Sequence, residues 1–83
     1  MTGIDDMSGL PRYVQVARII EAEIRSGQWQ PGNPVPSRQQ LSDRFGVARE
    51  TAAKAHRYLV DRGYLVRVPG VGMVVTAEDR WHE

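Results

Sequence analysis

The feature that most constrains the fold is a pair of helical patterns separated by one glycine, within residues 37–61. Ser37 is followed three residues later by Gln40, which is the spacing of a capping box at the start of a helix. Two apolar residues four positions apart mark one face of that helix: Leu41 and Phe45. Gly46 breaks the pattern where the chain turns, and a longer helix follows with residues at helical spacing: Ala52, Ala55 and Leu59. Two helices joined by so short a turn indicate a helix-turn-helix, whose second helix fits the major groove of DNA.

A further helix is predicted before this motif and a β-hairpin after it. Pro11 suits a helix start and Gly27 a left-handed helix end, and apolar residues recur between them: Tyr13, Val16, Ala17, Ile20 and Ile24. After the motif, two β-branched runs flank Pro69-Gly70, which fits the central pair of a type II turn. A hairpin in this position is a wing. The predicted fold is therefore mainly α with a small β-hairpin, a winged helix-turn-helix of three helices plus wing.

The length of 83 residues is enough for one small domain and leaves no room for a second. We divide the chain into three parts: a mobile N-terminal arm (1–10), the winged helix-turn-helix domain (11–77) and a short, loose C-terminal tail (78–83).

Composition argues against several other classes of protein. The chain has no cysteine, which removes disulfides and thiolate zinc sites and fits a reducing cytosol. No apolar run approaches the roughly 18 residues of a membrane span, and the acidic N-terminus does not read as a secretory signal. The sequence offers no nucleophile–base pair and no phosphate-binding glycine loop, so we predict that it is not an enzyme. Two distant histidines give no metal site, and no cofactor is expected.

Positive charge is concentrated on the helix-turn-helix although the net charge of the chain is only +1. Residues 38–67 hold seven basic and three acidic residues, whereas the segments on either side are both net negative. A solvated cationic face is one interpretation of this pattern, and attraction to the phosphates of nucleic acid is the other.

Three sequence blocks, in order and at matching distances, carry a resemblance to a known family. The first two read Y-x-Q-V-A with a later I-x-x-G, and P-G followed by P-S and a leucine: Tyr13, Gln15, Val16, Ala17, Ile24, Gly27, Pro31, Gly32, Pro36, Ser37 and Leu41. The third reads F-G-V-x-R-x-T-x-x-x-A, L-x-x-x-G-Y-L and G-x-G-x-x-V: Phe45 through Ala55, Leu59 through Leu65 and Gly70 through Val75. The run from Tyr13 to Val75 thus resembles the DNA-binding domain of the GntR family of bacterial transcription regulators. The resemblance implies a winged helix-turn-helix that binds an operator, usually as a dimer on a palindromic site.

The chain departs from the family pattern at several positions that matter for DNA reading. Family members usually read Pro-Ser-Glu-Arg, whereas Ser37 is followed here by Arg38 and Gln39, so the arginine is displaced by about 100° around the helix. Ala48 stands at the family's Ser or Thr cap, and Ala53 at a position where a base-reading residue is common. We therefore predict an unusual base preference. No effector-binding domain follows the wing, which fits a fragment of a longer regulator or a naturally short regulator.

These considerations select ten candidate DNA-binding residues. Phosphate contacts are predicted for three cations and for the wing amides: Arg38, Lys54, Arg57, Gly70 and Gly72. Base reading is predicted for the residues at the two helix starts, beside the cap residue Ser37: Gln39, Arg49, Glu50 and Thr51. The predicted partner is a double-stranded, palindromic operator, bound by a repressor that can form a homodimer, is cytoplasmic and is nucleoid-associated when bound. The alternative is a winged-helix protein-interaction module, which Ala48, Ala53 and the acidic flanks leave open.

Three further residues carry expectations of their own. His56 occupies an otherwise apolar face and is predicted to be partly buried and hydrogen-bonded, rather than a pH-sensitive contact. Trp29 is predicted to seal the core beside the first helix. Trp81 in the tail either folds back onto the domain or serves a partner.

Overall fold

The computed structural model describes residues 3–82 and has the predicted architecture of three helices followed by a β-hairpin. Its elements, in chain order, are α1 (Arg12–Arg25), α2 (Arg38–Phe45), α3 (Arg49–Asp61), β1 (Leu65–Val68), β2 (Gly72–Val75) and a 3-10 turn (Glu78–Arg80). The two strands pair antiparallel, with Leu65 opposite Val75 and Val68 opposite Gly72. This is a winged helix-turn-helix, as the sequence predicts.

Local signals account for the boundaries of α2. The backbone N–H of Gln40 donates to Ser37 Oγ over 3.2 Å, and the backbone N–H of Ser37 donates to Gln40 Oε1 over 2.8 Å. This is the predicted capping box. At the other end, Gly46 takes a left-handed conformation with φ 67° and starts the turn toward α3. By contrast α3 begins at Ala48 with no side-chain cap, because a methyl group cannot accept a hydrogen bond.

The core lies where α1 and α2 pack against α3. Its helical side chains include residues that are completely buried: Val16, Ala17 and Ile20 from α1, Leu41 from α2, and Ala52, Ala55 and Leu59 from α3. The small side chains of Ala52 and Ala55 let the backbone of α3 approach its neighbours closely. Val47, 6% exposed, fills the corner between α2 and α3. The buried face of α3 is thereby fixed, and its opposite face is left in solvent.

The wing ends in the predicted turn and is extended by a third short segment. The backbone N–H of Val71 donates to Val68 O over 3.0 Å, and Gly70 has φ 81°, as a type II turn requires. On the other side of β2, the N–H of Val35 donates to Met73 O over 3.0 Å. The proline-flanked segment before α2 therefore forms an isolated β-bridge to β2, between Pro34 and Val74, which ties the start of α2 to the wing.

The N-terminal arm was predicted to be mobile over residues 1–10; residues 1 and 2 lie outside the described residues, and residues 5–10 contact the start of α1. The side chain of Gln15, 8% exposed, accepts from the N–H of Asp5 over 2.6 Å and donates to Asp5 O and Leu10 O. Asp6 pairs with Arg12 over 2.9 Å. A buried amide must satisfy its donors and acceptor, and the segment supplies the partners for this one.

The tail was predicted to be loose over residues 78–83; residue 83 lies outside the described residues, and Trp81 packs against the domain. The ring of Trp81 stacks on that of Tyr64, with centroids 5.5 Å apart and planes at 24°. Its indole N–H donates to Thr76 O over 3.1 Å. Trp81 therefore folds back, the first of its two alternatives, because stacking buries a large apolar ring while its polar edge keeps a partner.

Candidate nucleic-acid interface

The N-terminal ends of α2 and α3 meet in a surface depression that gathers half of the predicted site residues. The depression has a volume of about 550 Å³ and is lined by Ser37, Arg38, Gln39, Arg49, Glu50 and Ala53. All except the half-buried Ala53 are exposed. Because a helix start directs its free backbone N–H groups outward, two such starts side by side give an electropositive concave surface.

A second groove continues from the first toward the wing. It has a volume of about 270 Å³ and is lined by Arg38, Ala53, His56, Arg57, Val60, Arg67 and Met73. Arg38 and Ala53 line both depressions, so the two are adjacent along α3. The second groove therefore joins α2, α3 and the wing in one surface.

The remaining predicted residues lie around these two depressions. Lys54 and Arg57 line a third depression together with Tyr13, on the side of α3 that faces α1. Thr51 is half-buried in the first turn of α3, and Gly70 and Gly72 are exposed at the wing tip. The structure thus brings five predicted residues together at the helix junction and places the others along the flank of α3 and on the wing.

Ion pairing divides the basic residues of the molecule into two groups. Within residues 3–82, acidic side chains pair with four arginines: Arg12, Arg25, Arg44 and Arg62. Over the same residues, seven cations form no ion pair. Arg18 lies on α1 and Arg80 in the tail, and the other five lie on the helix-turn-helix or the wing: Arg38, Arg49, Lys54, Arg57 and Arg67. Unpaired, exposed cations on one surface attract a polyanion far more than their contribution to the net charge suggests.

Glu23 on α1 explains why Arg44 of α2 belongs to the paired group. Arg44 binds both oxygens of Glu23, with Nη1 to Oε1 at 3.0 Å, and the indole N–H of Trp29 donates to Oε1 over 2.8 Å. The hydrogen bond from Arg44 is the main cause that holds the pKa of Glu23 below its usual value. Trp29 packs against the core as predicted.

His56 lies beneath the second groove and is buried and hydrogen-bonded, as predicted. It is 4% exposed, and its Nε2 lies 2.9 Å from Pro36 O. Because a carbonyl oxygen only accepts, Nε2 carries the proton. Burial lowers the pKa of His56, the Pro36 carbonyl opposes this, and the charges of Arg38 and Arg67 lower the pKa further.

Arg67 is the residue of this surface that the sequence reasoning missed as a candidate contact. In that reasoning, Arg67 was included only in the net charge of residues 38–67. Its side chain lines the second groove together with those of Arg38 and Arg57. The alternation of side chains along a strand could have identified it. Arg67 lies two residues after Leu65, which is 2% exposed, so both side chains point to the same face of β1. Toward the wing tip, that face lies over α3 rather than over the core.

The part of the chain that the structure describes contains neither a cluster of metal ligands nor a helix that could span a membrane. Over residues 3–82, no group of three or more His, Asp or Glu side chains could hold a metal ion. None of the helices in the same range is both long enough and apolar enough to cross a membrane.

The fold and the cationic surface together define a winged helix-turn-helix DNA-binding domain. Residues 12–75 match the family described as bacterial regulatory proteins, gntR family, so the chain belongs to the GntR family. This is a family of transcription regulators, so the domain has a role in sequence-specific DNA binding and regulation rather than in catalysis.

Among curated proteins, the chain is similar to several GntR-type repressors. It is 43% identical over 65 residues to the histidine utilization repressor of Klebsiella aerogenes, covering 78% of this chain and 27% of that protein. It is 34% identical over 73 residues to the transcriptional repressor NagR of Bacillus subtilis, covering 88% of this chain and 30% of that protein. The chain therefore spans less than a third of the length of these relatives.

Solved structures with the same fold include a DNA complex. The GntR-family transcription factor YtrA of Sulfolobus acidocaldarius has 40% identity and a TM-score of 0.80, over 90% of this chain and 64% of that one. The DNA-binding domain of AraR in complex with operator ORX1 has 36% identity and a TM-score of 0.79, over 88% of this chain and 90% of that one.

Proposed function

We propose that this domain binds a double-stranded operator with α3 in the major groove, and that it acts as the DNA-binding part of a repressor. The observation that carries the proposal is the set of unpaired cations on α2, α3 and β1, which lie around the exposed helix junction. A duplex backbone supplies the phosphates that such a surface attracts. The AraR domain bound to its operator and the repressor names of the curated relatives support the same function.

Base reading is assigned to the residues at and beside the helix junction. Arg49 is suited to the O6 and N7 acceptors of guanine, and Glu50 can accept from the amino group of cytosine. Gln39 donates through Nε2 to Asp43 Oδ1 over 2.9 Å, which leaves its Oε1 free to accept. The amide nitrogen of Gln39 has a second N–H besides the one that it donates to Asp43, and this second N–H can donate to N7 of adenine. Thr51 lies in the first turn of α3, beside the depression at the helix junction. Ser37 lines that depression from the start of α2.

Phosphate contacts are assigned to the flanks of this reading surface. Arg38 and Arg57 lie on the side toward the wing, and Lys54 lies on the side toward α1. At the wing tip, Gly70 and Gly72 allow the backbone to approach a sugar-phosphate strand without a side chain in the way. These contacts fix the position of α3 in the groove but do not distinguish sequences.

The assembly on DNA is the remaining part of the proposal. A homodimer on a palindromic operator would place two copies of α3 in successive major grooves, with half-sites about one helical turn apart. Binding to the bacterial chromosome would place the protein in the cytoplasm, associated with the nucleoid while bound.

Selection of bound duplexes from a random pool tests the proposal directly. We expect one enriched motif, repeated as a palindrome if the dimer forms. Replacing Arg49 by Ala should cost about 1–3 kcal/mol of binding free energy and relax selection at one base pair. Arg18→Ala, on the exposed side of α1, is the matched control and should leave the motif unchanged. A pool that shows no enrichment would reject DNA recognition and favour a protein-interaction module.

A further inference from the structure

The groove between α3 and the wing brings together three arginines from three different elements. Arg38 comes from α2, Arg57 from α3 and Arg67 from β1, and all three are exposed. Between them lie the buried His56 and the half-buried Ala53 and Met73. A groove lined by three arginines from separate elements requires the tertiary fold, which distinguishes it from a run of charge along one helix.

No negative charge balances this cluster. No acidic residue lines the groove, and none of its three arginines forms an ion pair with any residue in the range 3–82. Like charges that share a concave site repel one another, and a bound anion offsets this repulsion because it attracts each of them. Burial is the main cause of the lowered pKa of His56, and the charges of Arg38 and Arg67 lower this pKa further.

The position of the groove indicates which anion it takes. It shares Arg38 and Ala53 with the depression at the helix junction, so a duplex that received α3 would pass one of its strands beside this groove. Guanidinium groups bind phosphate oxygens through paired N–H donors, and three of them can surround a single diester.

We propose that Arg38, Arg57 and Arg67 form a clamp for one backbone phosphate of the operator, with Arg67 as its third member. This inference rests on the proposed function, and it adds a role for the wing. Because Arg67 is carried by β1, the phosphate that it binds locks the wing against α3. The wing is then held by a charged contact on β1 as well as by the glycines at its tip.

The first test measures the salt dependence of operator binding by the full chain. Arg67→Gln should reduce the slope of log K against log salt by about one and weaken binding by about 5- to 10-fold at moderate salt. Arg67→Lys keeps the charge and should retain most of the slope. Arg18→Gln removes the same charge from α1 and should change neither quantity. A slope for Arg67→Gln equal to that of the unaltered protein would overturn the clamp.

The second test first maps the contacted phosphates with the unaltered protein, so this step does not depend on the folding of a variant. Operators carrying one neutral methylphosphonate linkage at each position in turn should lose affinity at every contacted phosphate, and one linkage in each half-site should be the site of the clamp. At that linkage, Arg38→Gln and Arg67→Gln should cause little further loss, since both would have lost the same partner. Full additivity of the losses would show that the two arginines bind different phosphates and would reject the clamp.

A third measurement separates a duplex phosphate from a free one. Inorganic phosphate titrated into the free protein should shift the NMR signals of the groove only at concentrations of tens of millimolar. Saturation below one millimolar would overturn the duplex as the ligand and identify a free-anion site. If no motif is selected by the unaltered protein, the proposed function itself fails. Selection of a motif with an unchanged slope for Arg67→Gln would reject the clamp alone.

Discussion

Substitutions at position 48 should change fold stability and DNA binding in different directions. Ala48 is the N-cap of α3, with φ −63° and ψ 151°, and it makes no side-chain cap hydrogen bond. This is the backbone conformation from which a serine or aspartate side chain can reach the free N–H groups of the first turn. Ala48 is also exposed, so a larger side chain at this position displaces no core atom.

Ala48→Ser should therefore raise the free energy of unfolding by about 1 kcal/mol, within a range of roughly 0.5–2 kcal/mol. For a domain of this size, that gain corresponds to an increase of about 4–8 °C in the melting temperature. Urea and thermal unfolding, followed by circular dichroism, measure both quantities. The control is Ala22→Ser on the exposed side of α1, where serine is the poorer helix former and should lower stability by a few tenths of a kcal/mol.

Ala48→Asp tests whether the N-terminal end of α3 faces DNA, as we propose. A carboxylate at the N-cap should stabilise α3 at least as well as serine, because it also lies at the positive end of the helix dipole. It also adds a negative charge next to Arg49, on the surface assigned to DNA, so operator affinity should fall while stability rises. The reasoning is refuted if Ala48→Ser gives no gain over Ala22→Ser, and the orientation is refuted if Ala48→Asp leaves affinity unchanged.

Two further predictions concern the packing of the domain. Gly63 and Gly46 both have positive φ, but a Cβ at Gly63 would lie 2.0 Å from a backbone oxygen of the tail, whereas a Cβ at Gly46 meets nothing within 4 Å. Gly63→Ala should therefore cost clearly more than Gly46→Ala, for which we expect about 1 kcal/mol; equal losses in urea unfolding would contradict the packed tail. Because the pKa of His56 is below its ordinary value of 6.5, the unfolded chain takes up a proton there before the folded one. Stability should fall as the pH drops below about 6.5, and His56→Leu should remove this dependence between pH 5.5 and 7; an unchanged pH profile in the variant would assign the effect elsewhere.

The fold could be predicted from the sequence because the residues that start and end each helix and form each turn act over only a few neighbouring positions. The capping box at Ser37, the left-handed glycines at the helix ends and the Pro69-Gly70 turn all depend on backbone chemistry within a turn or two. Their order along the chain then leaves one arrangement that buries the apolar faces. This is why the winged helix-turn-helix prediction is confirmed. The roles assigned to individual DNA-binding residues remain predictions.

What the sequence did not reveal depends on contacts between distant positions. Arg44 reaches Glu23 across 21 residues, and the Arg25 guanidinium donates to the Tyr64 hydroxyl across 39 residues. No periodicity encodes such pairs, so the sequence could not tell which arginines are neutralised and which are free. The packed tail is of the same kind, because the stack of Trp81 on Tyr64 exists only after the hairpin has formed.

This distribution of ion pairs explains how a chain with a net charge of +1 can bind a polyanion. Glu21 and Glu23 lie on α1 and together pair with Arg25, Arg44 and Arg62. The pairs with Arg44 and Arg62 link α1 to α2 and to the end of α3, whereas the pair with Arg25 lies within α1. The cations of the surface that we propose for DNA have no acidic partner among the described residues. The arrangement of charge within the fold, more than its sum, therefore determines the attraction for a duplex.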